Sequence, residues 1–224
     1  MSDKKVWSCG TCAIPVTICR FAVCCTLVLL VVVGGCYKSP YNNIFEAVEK
    51  GTIKDVKYFV SKGADVNARD QRGNTLLHRV ASTAPIELIK YLVEHGADIH
   101  VKNDYEVSAL HLAVENPDIG ILKYLIAQGA DVNAYSERVG TPIHRIARIR
   151  DHVEHLKYLI ENGADVNIRT SQGLTPIDML ELKKGDPSPD GFIQFFPSES
   201  ENSENIPELI EVLRAAGGKK GNEL

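Results

Sequence analysis

Apolar and polar positions alternate in a slow rhythm along most of this chain, from about residue 44 to about residue 217. Apolar residues come in pairs one helical turn apart, as in Leu88-Ile89 with Leu92-Val93 and Ile121-Leu122 with Leu125-Ile126. Spacing of i, i+1, i+4, i+5 lays a single apolar stripe along a helix and predicts packing against neighbours. Gly63, Gly96, Gly129 and Gly163 follow these helices directly. Glycine ends a helix there because it takes a positive φ at little cost. Pro85 and Pro117 stand just before second helices, where proline favours a helix start.

The stop glycines recur at a nearly constant interval and open four similar stretches, Gly63-Ala64-Asp65-Val66-Asn67, Gly96-Ala97-Asp98-Ile99-His100, Gly129-Ala130-Asp131-Val132-Asn133 and Gly163-Ala164-Asp165-Val166-Asn167. His78, His111, His144 and then Asp178 keep the same beat, as do Lys57-Tyr58, Lys90-Tyr91, Lys123-Tyr124 and Lys157-Tyr158. Self-similarity at such a period predicts a stacked repeat protein.

Thr141-Pro142-Ile143-His144 and Thr175-Pro176-Ile177-Asp178, together with the GADVN stretches, resemble the ankyrin repeat. Leu76-Leu77-His78 and Ala109-Leu110-His111 are weaker copies of the same element. The resemblance implies an all-α solenoid of helix-turn-helix units joined by hairpin loops. It implies binding of other macromolecules and, as a rule, no catalysis. It also implies that the repeated histidine ties down its own turn by hydrogen bonds.

The repeats fall at about 44–69, 70–102, 103–135, 136–169 and 170–217. The first is only half-matching, as expected where a terminal repeat covers an otherwise open apolar face. The last is interrupted near 185–205 by an acidic insert carrying Phe192, Ile193, Phe195 and Phe196. Such a long connection is either functional or without fixed structure. The phenylalanines either fold back on the end of the stack or dock a partner. Asn205 then caps a final helix, with Glu208 at capping-box spacing. Residues 218–224 are expected to be a disordered tail.

Ahead of the repeats, Lys4, Lys5 and Arg20 precede an uncharged run from Phe21 to Gly35. Fifteen residues reach about 22 Å as a helix, short of a roughly 30 Å hydrocarbon core. A basic region before a short apolar core is the signal-peptide pattern. Val33-Gly34-Gly35-Cys36 resembles the lipobox of bacterial lipoproteins, which implies cleavage after Gly35, lipidation of Cys36 and residues 36–43 as a polar tether. An uncleaved signal anchor and a cytoplasmic protein palmitoylated on its clustered cysteines are the other two readings. In either exported form the basic residues stay in the cytoplasm and the repeats cross.

Composition narrows the chemistry. All six cysteines lie in the first 36 residues, so the repeats hold neither a disulfide nor a free thiol. Cys9 and Cys12 form a CxxC with no second pair, which fits a cysteine-rich leader better than a redox or zinc site. Taking Lys4, Lys5, Arg20 and Asp3 from the totals of 25 and 29 leaves 22 basic against 28 acidic residues, a net −6. That balance argues against nucleic acid. No phosphate loop, GxSxG or HExxH is present, and no cofactor, metal or small-molecule substrate is expected. Repeated histidines sit about 10 Å apart across packed helices, too far for one zinc. His152 and His155 are i, i+3 neighbours with no third ligand.

The expected function is protein–protein binding by a membrane-tethered solenoid; the alternative is a structural role bracing a membrane complex. In the ankyrin resemblance, contacts come from the hairpin tips and first-helix faces lining the concave side. Those positions are Gln71, Arg72, Asn74, Asp104, Tyr105, Val107, Glu137, Arg138, Ser171 and Gln172, with Tyr105 and Arg138 foremost because Tyr and Arg dominate interface hot spots. At least one of Arg145 and Arg148 on the first helix of the fourth repeat is expected to add positive charge, which points to an acidic or mixed-charge partner surface.

Overall fold

The computed structural model describes residues 39–182 and 202–224. The leader with Cys36, and the insert from residue 183 to 201, lie outside the described residues. Among the described residues ten α-helices make five pairs: α1 (Ile44–Lys50) with α2 (Ile53–Ser61), α3 (Leu76–Val80) with α4 (Ile86–Glu94), α5 (Ala109–Ala113) with α6 (Ile119–Ala127), α7 (Pro142–Ile149) with α8 (Val153–Glu161), and α9 (Pro176–Glu181) with α10 (Ile206–Ala215). Among the described residues there is no strand, only isolated bridges at Lys102–Ser108 and Ser136–Gly140.

First helices stack on first helices, α1 on α3, then α5, α7 and α9. Second helices stack likewise, α4 on α6, then α8 and α10. The paired apolar stripes account for this. Ile89, Leu92, Ile121, Leu122, Leu125, Leu156 and Leu159 are fully buried, and with Leu76, Leu77, Leu110, Ile143 and Ile146 they form one continuous core. Each such side chain contributes about 1.5–3 kcal/mol on burial. No single repeat has enough neighbours to bury its own stripe, so stability comes from stacking.

The repeated histidines act as the resemblance implies, and they reach further. His78 Nδ1 accepts from the Thr75 amide at 3.2 Å and lies 2.8 Å from its hydroxyl. An accepting Nδ1 places the proton on Nε2, which donates to the Val107 carbonyl of the next repeat at 2.9 Å. His111 and His144 repeat the arrangement with Ser108 and Thr141 on one side and the Gly140 and Leu174 carbonyls on the other. In the last repeat Asp178 replaces histidine and the rung reverses. Its Oδ2 accepts from Thr175 and, at 2.9 Å, from the amide of Gly221.

That rung corrects the expectation of a disordered tail. Residues 217–221 take the place that the next repeat's backbone holds elsewhere. Asn167 donates to the Gly217 carbonyl and accepts from the Lys219 amide, as Asn67 does with Gly96 and Asp98. Arg169 donates to the Gly221 carbonyl, and Lys220 pairs with Glu181 at 2.6 Å. The polar groups of the last repeat need partners, and this segment supplies them.

Two further expectations change. Asn205 precedes α10 but makes no side-chain cap; its amide donates to Asp151 at 3.1 Å instead. The tether is docked from Ser39 onward, where the buried Ser39 hydroxyl donates to Asp55 at 2.9 Å and the Tyr41 hydroxyl to the Lys50 carbonyl at 2.7 Å. The lysines beside the repeated tyrosines reach across to the next repeat. Lys57, Lys90 and Lys123 each lie over the tyrosine ring of the following repeat, at 5.1, 5.8 and 5.3 Å from Tyr91, Tyr124 and Tyr158. Each such contact is worth about 0.5–1 kcal/mol at an exposed site.

Candidate functional site

Each hairpin loop carries the same bonds. Asp70 and Asn74 close the first tip, Asn103 and Val107 the second, Ser136 and Gly140 the third, and Thr170 and Leu174 the fourth. One residue near each tip can enter the left-handed region. Gly73 and Gly173 do so at φ 72° and 80°. In the third repeat that place is held by Glu106, at φ 59°. A non-glycine residue there costs about 1–2 kcal/mol. Such strain clusters where a loop has a use beyond folding. The Glu106 carboxylate accepts from the Glu137 amide of the neighbouring tip at 3.1 Å, which helps to hold it.

Beside Glu106 stands Tyr105, 41% exposed; in the repeats it is the one large exposed hydrophobic side chain among the described residues. Tyr105 and Arg138 hold equivalent positions in adjacent repeats. The Arg138 guanidinium lies over the Tyr105 ring, 4.6 Å from its centroid. The tips are also tied through the backbone. Asp104 donates to the Arg72 carbonyl, Ser136 Oγ to Tyr105, and Ser171 Oγ to Glu137. A rigid row of tips results, with an aromatic side chain held ready by a cation.

The other expected positions divide. Gln71, Arg72, Asp104, Glu137, Ser171 and Gln172 are exposed along the tip row. Asn74 is not a free contact: it bonds Asp70 and accepts from Asn103 of the next repeat at 2.7 Å. Val107 is buried, with its carbonyl taken by His78.

Arg145 does not supply spare positive charge. Its Nε donates to Glu115 of the preceding repeat at 2.7 Å, and a second nitrogen pairs with the same oxygen. Arg79, at the same repeat position two repeats earlier, is held by Glu49 at 2.7 Å and Asp70 at 2.6 Å. Arg148 is half-buried. Glutamates at the matching place one repeat back neutralise Arg79 and Arg145, a pairing that spacing alone did not reveal. Glu106 was also missed, although its place one repeat on from Gly73 was visible.

Among the described residues no group of three metal-ligating side chains comes together. His152 and His155 do meet, with rings 4.7 Å apart, but His155 Nε2 already donates to the Asn116 carbonyl at 3.0 Å. Burial lowers the His155 pKa, and the adjacent His152 lowers it further.

A stack of helix pairs with bonded tips defines the class of repeat solenoids. The family comparison agrees: residues 44–136 match the model of ankyrin repeats in three copies, and residues 140–171 match a further ankyrin repeat. The chain belongs to the ankyrin-repeat family, whose members serve as modules for protein–protein interaction and are typically non-enzymatic. No curated protein matched the chain.

Proposed function

We propose that this protein is a membrane-tethered interaction module whose protein partner binds along the concave side, centred on the tips of repeats three and four. The observation that carries the reading is the Tyr105–Arg138 stack, an exposed ring braced by a guanidinium at a strained tip. Tyr and Arg are the residue types that concentrate binding energy at interfaces, and a pre-set side chain loses less entropy when bound. A photo-crosslinking residue in place of Tyr105 should trap a discrete protein adduct in cells. The same residue in place of Lys90, on the second-helix row, should not. With the partner in hand, Tyr105→Ala with Arg138→Ala should weaken binding at least tenfold, about 1.4 kcal/mol, while leaving the melting temperature unchanged. Unchanged affinity would move the site elsewhere.

Tethering is supported by the sequence Val33-Gly34-Gly35-Cys36 after an uncharged run. No helix among the described residues is long and apolar enough to cross a membrane. The mature amino terminus is Cys36 in this reading, lipidated and exported. Mass spectrometry of the native protein tests it: retention of residues 1–35 would favour the uncleaved anchor, for which the uncharged residues continuing to Tyr37 are the supporting observation.

A further inference from the structure

We propose that the surface of repeats three and four recognises an uncharged protein segment anchored by an apolar side chain, and not an acidic one. The inference rests on the tip-row reading above and names the chemistry of what binds there.

Positions 79, 112 and 145 are equivalent in the repeat, one on or beside each of the first helices α3, α5 and α7. They hold Arg79, Leu112 and Arg145. Positions 49, 82 and 115 are equivalent in the same way and hold Glu49, Ser82 and Glu115. In the stack, both arginines of the first set meet the residue of the second set from the repeat before. Glu49 takes Arg79, and Glu115 takes Arg145. The middle rung, Ser82 and Leu112, carries no charge at all. Both of its side chains are half-buried, so part of each faces solvent.

The first-helix row therefore alternates: a closed ion pair, a neutral rung, a closed ion pair. An acidic ligand would have to strip Arg79 or Arg145 from a carboxylate already in contact. It would gain one pair and lose another, and would bring its own charge close to Glu49 or Glu115. Like charge in such a setting repels and selects against the wrong partner. An apolar side chain meets no such opposition at Leu112. It gains burial against Leu112 and, from the tip of the same repeat, against Tyr105. Arg138 already covers the Tyr105 ring and so is partly satisfied there as a cation. The two ion pairs act as walls that fix where the anchor sits.

A random peptide library displayed on phage and selected on the full chain in detergent micelles tests the inference. Enriched peptides should share an apolar residue and lack Asp and Glu. A synthetic peptide of that consensus should change affinity less than about threefold between about 0.05 and 0.5 M salt, because no unpaired charge is engaged. Leu112→Arg copies the residue at the equivalent place in both flanking repeats, so the stack should accept it; it should weaken that peptide at least tenfold. Leu112→Ser, with its melting temperature measured, guards against a folding defect and should weaken binding in the same direction. An acidic consensus that is salt-sensitive and weakened by Tyr105→Ala would overturn the apolar inference and leave the tip surface standing. Peptides indifferent to Leu112→Arg, Tyr105→Ala and Arg138→Ala would overturn both, as would no enrichment over an unrelated helical protein.

Discussion

The hairpin side of the stack and the opposite, helix-corner side are built on different terms. On the hairpin side the four connections run 62–75, 95–108, 128–141 and 162–175, and all are equally long. On the corner side they run 51–52, 81–85, 114–118, 150–152 and 182–205, so their lengths differ widely. The bonds follow the lengths. Hairpin rungs recur by position: Asn67, Asn133 and Asn167 clamp the next glycine carbonyl, and Arg69, Lys102 and Arg169 each reach a carbonyl of the following unit. Corner bonds are single instances. Asn116 donates to Ala81 and Ala84, His155 to Asn116, Arg150 to Leu182 and Asn205 to Asp151. The corner at 150–152 also holds two left-handed non-glycine residues, Arg150 at φ 60° and His152 at φ 62°. A uniform loop length lets one residue type solve the same bonding problem in every repeat. A variable length makes each corner find its own solution.

Acid should break the hairpin side first and hardest. Burial holds His111 and His144 down to about 4 and lowers His78 as well, from an ordinary value of 6.5. The folded state keeps these rings neutral, because Nδ1 must accept. The unfolded chain therefore takes up protons first as pH falls. Their stabilisation is complete above about 6.5 and is lost on descending toward about 4. Urea unfolding at pH 5 should show stability lower than at pH 7.5 by on the order of 3 kcal/mol from His111 and His144 together. A midpoint independent of pH over that range would mean that the rings are not buried as described.

The corner side should be fragile at single points. Asn116 is buried, and its side chain makes three bonds, two donated and one accepted from the Asp118 amide. Asn116→Ala should cost about 1–3 kcal/mol, since buried carbonyls lose their partner. Asn133→Ala, at an exposed hairpin rung, should cost less. Equal losses from the two would erase the distinction between the sides.

One irregularity on the hairpin side offers the finest test. His100 stands where the other GAD stretches carry asparagine, and among the described residues no matching pair of bonds runs from it to Gly129 and Asp131. His100→Asn should restore that clamp between repeats two and three and stabilise the stack by about 1 kcal/mol. Thermal melting reads it directly. A variant no more stable than the parent would show that the rung is set by backbone geometry and not by the side chain.

Sequence alone determined the repeat, its length, the helix pairs, the buried stripes and the place of the tips. These follow from local periodicity: a fixed beat from repeat to repeat, a helical spacing within each stripe and a glycine at each stop. Tyr105 and Arg138 were legible as candidates because their position in the beat and their residue types were both visible. What the tertiary structure decided is which polar groups meet. Arg145 lost its spare charge to Glu115, Asn74 was spent on Asn103, and Asn205 turned from cap to bridge. Residues 217–221 docked because Asp178 and Asn167 find there the backbone partners that earlier repeats find in the next hairpin. Each of these pairings joins residues at least a repeat's span apart in the chain or close to it, and stacking geometry alone brings them within bonding distance.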